Sequence, residues 1–176
     1  LLLLISIFYK KKLFSILFIS IIIFLTFFYR VPEISYSNNI NHLISPCNGK
    51  IIKIEKQKNS YKLYMFLSAF DPHIQLIPYD GKITKYEFIE GEYQLAYKLE
   101  KDNYRTRFIT HIDTKHGNIE IIQNTGMITR RIKNNFNNND KVDKGSILGI
   151  IKFGSRVDIT IPNTFKLQFK LHDDVL

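Results

Sequence analysis

The sequence predicts a mainly β fold, in which a barrel-sandwich-like β domain follows an N-terminal hydrophobic helical segment for the membrane. Residues 1–32 are strongly apolar and contain a run without charge from Leu13 to Tyr29. The rest of the chain instead has short β-branched and aromatic runs separated by Gly, Asn, Asp or Pro, with no convincing helical period over ten residues. We therefore divide the chain into an anchoring segment, 1–32, and a β-rich domain, 33–176.

The uncharged run has the length of a short membrane helix. Its 17 residues would rise about 25 Å as a helix, which is near the lower limit for the hydrocarbon core of a bilayer. Arg30 and Pro32 end the run, and the aromatic residues 27–29 lie where an interfacial belt is expected. A cleaved signal peptide is the alternative, but no small-x-small site follows Tyr29. We expect the protein to be associated with the cell membrane.

Charge and cysteine content narrow the class of partner. The chain has a net charge of +9, and residues 33–176 alone hold 21 basic and 16 acidic side chains. A moderately basic domain beside a bilayer suits anionic lipid head groups, and an ordinary soluble surface explains the charge equally well. The lysines are dispersed and no recognition motif occurs, which argues against nucleic acid. The single Cys47 excludes an internal disulfide framework, and no Cys/His cluster has zinc-finger spacing, so no metal is predicted.

The β domain is predicted from short strands and tight turns. The predicted strands are KIIKIEK, KLYMFLS, KITKYEFIE, RFITHID, NIEIIQ and MITRRI. Residues 115–118 are predicted as a hairpin turn, and residues 93–102 as a short helix or lid-like loop. The turns SPCNGKI and IPYDGKI, with NNNDKVDKG further on, are similar to those of biotinyl and lipoyl carrier domains. This likeness concerns the fold alone, and the lack of a carrier lysine argues against an active carrier.

Asp71 and His73 are the first candidates for chemistry. They are two residues apart, so in an extended chain both side chains would lie on the same face. A carboxylate near an imidazole can fix its tautomer and raise its basicity, as in a general acid or base. The alternative is a turn at Asp71-Pro72 followed by a structural histidine in the core, and spacing alone favours that alternative.

Gly154 and Ser155 interrupt the strand-like segment IIKFGSRVDITIP. A serine hydroxyl can attack the preceding carbonyl in an N→O acyl shift, and β-elimination of the ester leaves dehydroalanine. Hydrolysis with loss of ammonia then gives a pyruvoyl group, whose ketone forms a Schiff base with an amine and withdraws electrons. A β-bulge with glycine at the kink is the alternative, which the dipeptide alone favours.

Four segments taken together resemble the phosphatidylserine decarboxylase family, and most closely its short, bacterial-type members. They are SPCNGKI, LSAFDPHIQLIPYDGKI, IQNTGMITRRI and DKVDKGSILGIIKFGSRVDITIP, within residues 31–162. The most specific piece is FGSRVD, and LS-x-x-D-x-H is the second. The resemblance implies a lyase of phospholipid biosynthesis, made as a zymogen, that converts phosphatidylserine to phosphatidylethanolamine.

The resemblance also implies how the chain matures. The bond between Gly154 and Ser155 would break by autocatalytic serinolysis, giving a membrane-associated β chain, 1–154, and an α chain, 155–176. Ser155 would become the covalent pyruvoyl cofactor, and the two chains would stay bound. Asp71 and His73 match the family's Asp-x-His, so His73 would transfer protons and Asp71 would orient or activate it.

The resemblance also implies substrate contacts. Asn103 and Arg105 match a family Asn-Glu-Arg motif in which Tyr104 replaces the acidic residue. Arginine suits bidentate binding of a lipid phosphate, for which the candidates are Arg105, Arg107, Arg130 and Arg131. Solvated surface arginines are the alternative for any one of them. The implied partners are a membrane phospholipid and the chain's own cleaved parts, and a homo-oligomer is left open.

Two other classes of function compete with this interpretation. A membrane-anchored metallopeptidase would take zinc ligands from Asp71, His73, His111 and His116, but the chain has no His-x-His pair. A non-catalytic barrel-sandwich adaptor, or an inactive relative of the family, would remain uncut. The intact FGSRVD and DPH motifs favour an active enzyme.

Overall fold

One helix and eleven strands occur in the part of the chain that the structure describes. The computed structural model describes residues 12–32, 42–91, 105–126, 131–152, 155–167 and 170–175. The helix is α1, Lys12–Phe28. The strands are β1 (Gly49–Lys56), β2 (Ser60–Leu67), β3 (Ile74–Leu76), β4 (Gly81–Ile89), β5 (Arg107–Thr114), β6 (Gly117–Asn124), β7 (Ile132–Asn134), β8 (Lys141–Val142), β9 (Ile147–Ile151), β10 (Ser155–Pro162) and β11 (Asp174–Val175).

The strands form two antiparallel sheets. The larger has the order β11-β1-β2-β10-β6-β5-β4-β8, and the smaller has the order β3-β9-β7. The described residues leave the large sheet open, with β11 and β8 as its outer strands. The mainly β prediction is confirmed, while the two sheets, as far as the structure describes them, do not close into a barrel. The strand that begins at Ser155 lies between β2 and β6, in the middle of the large sheet.

The core is built from alternate residues of these strands. On β10, Val157, Ile159 and Ile161 are buried and belong to one hydrophobic cluster with residues of β1, β2, β6 and β9. Burying one such aliphatic side chain contributes about 1.5 to 3 kcal/mol. The period-2 pattern of the sequence therefore predicts the strands well. Five of the six predicted segments coincide with β1, β2, β4, β5 and β6, whereas most of MITRRI lies outside the described residues.

The predicted turns also occur. Residues 115 and 116 connect β5 to β6, and Gly117 has a φ of 112°, which glycine adopts without strain. The glycines of the two related turns begin β1 and β4, and each lies close to a neighbouring strand. A Cβ on Gly49 would be 2.5 Å from the carbonyl oxygen of Phe66, and one on Gly81 2.5 Å from that of Asp113. Close approach of two backbones explains the glycine in both turns.

The N-terminal helix is apolar and largely exposed. It has 17 residues, and among the described residues no helix combines the length and the apolar character needed to cross a membrane. Membrane anchoring therefore stays a prediction, as do the boundary at residue 32 and the division at residues 154 and 155. The predicted loop or helix at 93–102 lies outside the described residues.

Candidate active site

The start of β10 lies beside the segment that carries Asp71 and His73. Ser155 is paired with Leu67, the last residue of β2, and the turn from Ser68 to Asp71 follows directly. On the other side of the predicted cleavage point, the amide of Ile151 donates to the carbonyl oxygen of His73 at 3.2 Å. Gly154 itself lies outside the described residues. The sheet thus brings both flanks of the predicted bond next to the Asp-x-His motif.

Asp71 stabilises the turn that precedes His73. Its carboxylate oxygen Oδ2 accepts a hydrogen bond of 2.7 Å from the amide of Ser68. Its own amide donates to the carbonyl oxygen of Ser68 at 3.1 Å. A carboxylate that accepts from the backbone amide three residues earlier, as the acidic residue of a capping box does, closes the turn between the two residues. Asp71 therefore fixes the backbone on which His73 stands.

His73 is oriented by the main chain of Asp71. Its Nδ1 lies 2.7 Å from the carbonyl oxygen of Asp71. Because a carbonyl only accepts hydrogen bonds, Nδ1 carries the proton of the neutral ring and Nε2 is left as the acceptor. The expected pairing of carboxylate and imidazole on one face requires an extended chain. Residues 68–71 form a turn, and so the two residues meet through the backbone.

Burial makes His73 a neutral acceptor. The side chain is fully buried, and its ring stacks on Phe28 of α1 with centroids 3.9 Å apart. Burial lowers the pKa of His73 and outweighs the opposite effects of the hydrogen bond to Asp71 and of the Asp71 charge. Nε2 is buried and has no hydrogen-bond partner among the described residues. A neutral imidazole with an available lone pair is suited to act as a general base.

A chain of side-chain amides, two of them fully buried, fixes the carbonyl group of His73. Gln75 Nε2 donates to that carbonyl oxygen at 2.7 Å. Gln75 Oε1 accepts from Gln123 Nε2 at 3.0 Å, and Gln123 Oε1 accepts from Asn134 Nδ2 at 2.8 Å. These bonds connect β3, β6 and β7, and so both sheets hold His73 in place.

Of the predicted phosphate-binding residues, the structure describes Arg105, Arg131 and Arg107, which is the first residue of β5. Arg105 is fully buried, and its Nη1 donates to the carbonyl oxygen of Thr125 at 3.5 Å. Arg131 is exposed, and its carbonyl oxygen accepts from the amide of Lys152 at 3.3 Å, close to the cleavage point. Asn103 and Arg130 lie outside the described residues. The roles of all these residues in lipid binding stay predictions.

Sequence reasoning missed three polar residues beside Ser155. Arg156 and Asp158 of β10 are buried and form a bidentate ion pair. The side-chain amide of Asn124, on β6, donates to the same carboxylate. The signal is an arginine and an aspartate two apart in a strand that is otherwise apolar, which places both on one face.

The structure also describes the surroundings of Cys47, His111 and His116. Cys47 is buried, and burial raises the pKa of its thiol, with the charges of Asp71 and Asp158 as smaller causes. The described residues contain no group of three or more His, Cys, Asp or Glu side chains that could hold a metal ion. His111 and His116 instead bind other side chains, namely Asn118 at 3.3 Å and the hydroxyl of Tyr79 at 3.1 Å.

Comparison with known proteins places these features in a family. The family model for phosphatidylserine decarboxylase matches residues 21–175. A putative archaetidylserine decarboxylase proenzyme of Methanosarcina mazei is 37% identical over 150 residues, which cover 85% of this chain and 69% of that protein. A protein of Archaeoglobus fulgidus with the same name is 36% identical over 154 residues, or 88% of this chain and 74% of that protein.

A bacterial relative agrees with the archaeal ones. A phosphatidylserine decarboxylase proenzyme of Chlorobium chlorochromatii is 29% identical over 160 residues, which cover 88% of this chain and 76% of that protein. No solved structure gives a significant match. The chain therefore belongs to the phosphatidylserine decarboxylase family, and the predicted decarboxylase function is confirmed.

Proposed function

We propose that the chain processes itself at Gly154-Ser155 and then removes carbon dioxide from the serine head group of phosphatidylserine, leaving phosphatidylethanolamine. The observation that carries this proposal is the buried, neutral His73 next to the start of β10. Its Nε2 accepts no hydrogen bond from the described residues. A buried polar atom without a hydrogen-bond partner costs about 1 to 3 kcal/mol of stability. Such an atom is expected where a ligand or a reacting group completes the site.

The residues around position 155 fit a pyruvoyl group. The main chain at position 155 would be held by the pairing with Leu67. Nε2 of His73, which has no partner among the described residues, would face a site that gains new donors during processing and substrate binding. The chemistry that a pyruvoyl group would supply there is that of a ketone electron sink, to which the amine of the serine head group can condense before carbon dioxide leaves.

The chain's own side chains would move protons and exclude water. Nε2 of neutral His73 takes a proton during self-processing and returns one to the carbon from which carbon dioxide has left. The Phe28 ring covers one face of the imidazole and keeps it from solvent. Asp71 holds the turn, and the amide chain through Gln75 holds the carbonyl group of His73.

We also propose that α1 and the adjoining turn associate with the cell membrane. The side chains of Leu13 and Phe70 are 82% and 71% exposed, and most other apolar residues of α1 are exposed as well. Arg30 Nη1 donates to the carbonyl oxygens of Phe27, at 2.8 Å, and Phe70, at 3.3 Å. This arginine links the apolar helix to the turn of the active site. A large exposed apolar surface is typical of contact with a membrane or another protein.

Archaetidylserine is a second candidate substrate. The archaeal relatives named for it are 37% and 36% identical to this chain. Both candidates carry a serine head group on a phosphate, and they differ in the lipid backbone. Release of carbon dioxide from vesicles of each lipid, at equal mole fraction, distinguishes them. The better substrate is the one with the higher kcat/KM.

Intact mass measurement tests self-processing first. We expect the wild-type chain to give a fragment that begins at position 155 with a pyruvoyl group, and Ser155→Ala to stay whole. The chain offers a matched control in a second Gly-Ser pair, Gly145-Ser146, in the turn before β9. Ser146→Ala should be cut like the wild type. An uncut wild-type chain, or a cut at Gly145-Ser146, would contradict the proposal.

A further inference from the structure

A buried ion pair occupies the start of the strand that self-processing would release. Arg156 Nε donates to Asp158 Oδ1 at 2.7 Å, and Arg156 Nη2 donates to Asp158 Oδ2 at 2.9 Å. The relative exposure of the two residues is 0% and 3%. Two parallel bonds of this kind fix the guanidinium and the carboxylate in one geometry.

The neighbouring strands hold this pair from both sides. Asn124 of β6 is paired with Arg156, and its Nδ2 donates to Asp158 Oδ2 at 2.9 Å. Tyr64 of β2 is paired with Asp158, and its ring centroid lies 5.4 Å from the Arg156 guanidinium carbon. The ion pair therefore connects the first residues of β10 to both neighbouring strands, β2 and β6.

Folding stability alone does not explain why an ion pair is buried at this place. Burying two charges costs more than their attraction returns in many proteins, and apolar residues of similar volume are often as stable. The opposite face of β10 already contributes the buried side chains of Val157, Ile159 and Ile161. Buried ion pairs of this kind have a better attested role in fixing register.

Register matters most once the chain is cut. A break before Ser155 would make Arg156 the second residue of a new chain, and chain ends fray unless they are held. A shift of one residue along a strand is about 3.3 Å, far more than the roughly 0.5 Å that a catalytic group tolerates. We propose that Arg156, Asp158 and Asn124 position the first residue of the cut chain beside His73. This inference rests on the proposed function, since it requires the cut.

The test compares a variant that lacks both charges of the ion pair with a control variant that lacks both charges of another ion pair. The variant is Arg156→Gln with Asp158→Asn, which leaves no single charge buried. The control is Lys85→Gln with Glu87→Gln on β4, an ion pair of the same spacing at 2.7 Å with half-exposed side chains. The measurements are the cut fraction by intact mass, ketone content by hydroxylamine labelling, and carbon dioxide release per ketone. Hydrogen exchange of residues 156–160 is compared in cut protein and in the uncut Ser155→Ala background.

We expect the double variant to be cut and to form its ketone as the wild type does. Carbon dioxide release per ketone should fall by about 10- to 100-fold, because misplacement by 1 Å can cost that much. Amide exchange at residues 156–160 should rise roughly tenfold in cut protein only, since the covalent chain holds the uncut strand. Arg156→Lys, which keeps the charge and loses the fork, should lie between the double variant and the wild type.

Three results would overturn the inference. The first is a cut double variant with wild-type release per ketone and wild-type exchange. The second is a block of cutting itself, which would place the cluster in processing. The third, if the double variant does not fold, is wild-type behaviour of Arg156→Lys by the same measurements. Failure of the proposed function differs from all three, because wild type and control would then themselves be uncut or free of ketone.

Discussion

His73 combines complete burial with a lowered pKa, and this combination has a consequence for stability. Protonation at Nε2 would place a charge in an apolar site beside Phe28. The unfolded chain takes up a proton near pH 6.5, the ordinary value for histidine, whereas the folded chain does so only at lower pH. Between the pKa of His73 in the folded chain and that in the unfolded chain, the unfolded state binds more protons than the folded state. Folding stability is therefore fully present above pH 6.5 and is lost as the pH falls.

We expect the uncut Ser155→Ala protein to lose up to about 1.4 kcal/mol of stability per pH unit below 6.5 from His73 alone. His73→Gln in the same background should lose less over that range, although it is less stable at pH 7. Urea unfolding at pH 7.5, 6.5 and 5.5 measures both slopes. His42→Gln, at an exposed histidine, is the control and should follow the parent. Equal slopes for the parent and His73→Gln would contradict the account.

At the same scale, the sequence predicts that Asp71 and His73 lie close together but not how they meet. The period-2 argument assumes an extended chain, and Pro72 follows a turn that the Asp71 carboxylate itself closes. Arg156 and Asp158 could have been found from the sequence as a charged pair in an otherwise apolar strand. Their partner Asn124 was not, because a residue 32 positions away enters through sheet register alone.

At the scale of elements, α1 forms a wall of the active site. The amide of His73 donates to the carbonyl oxygen of Phe28 at 3.4 Å, and the two rings are stacked. The uncharged run in the sequence predicts the helix, and alternation predicts most strands. The contact between α1 and the active site depends on Phe28 and His73. These residues are 45 positions apart, so no local sequence pattern predicts their contact. The last turn of α1 thus links the apolar surface of the helix to the proton-transfer residue.

Phe28→Leu should weaken this link while keeping the position apolar. A smaller, non-planar side chain admits water to the imidazole, so the pKa of His73 should rise toward its ordinary value. The acid limb of the pH profile for carbon dioxide release should then move to higher pH, with a lower rate at neutral pH. Phe14→Leu makes the same change at an exposed position on the same helix and should leave the profile unchanged. An acid limb that does not move in Phe28→Leu would refute the link.

At the scale of the whole molecule, the sheet order explains how a cut chain could stay assembled. The order β11-β1-β2-β10 places both strands of residues 155–176 on either side of the β1–β2 hairpin. The hairpin thus lies between two strands of the segment that the cut would release. The sequence predicts β10 as a strand within the sheet, but neither its central place nor the return of β11 to β1 follows from local pattern. Both depend on which strand edges are left unpaired when the rest has folded.

We expect the two chains to copurify after the cut and to separate only on unfolding. Ile159 is buried in the middle of β10, opposite Leu63 of β2 and Ile121 of β6. Ile159→Ala should therefore lower stability by about 2 to 5 kcal/mol. In the cut protein, where no peptide bond precedes residue 155, the same loss should appear as release of the C-terminal chain at a lower urea concentration. Ile147→Ala, at a position 39% exposed, is the matched control and should retain the chain as the wild type does. If Ile159→Ala lowers the stability of uncut Ser155→Ala protein but leaves chain retention in the cut protein unchanged, the central strand is not what holds the two chains together.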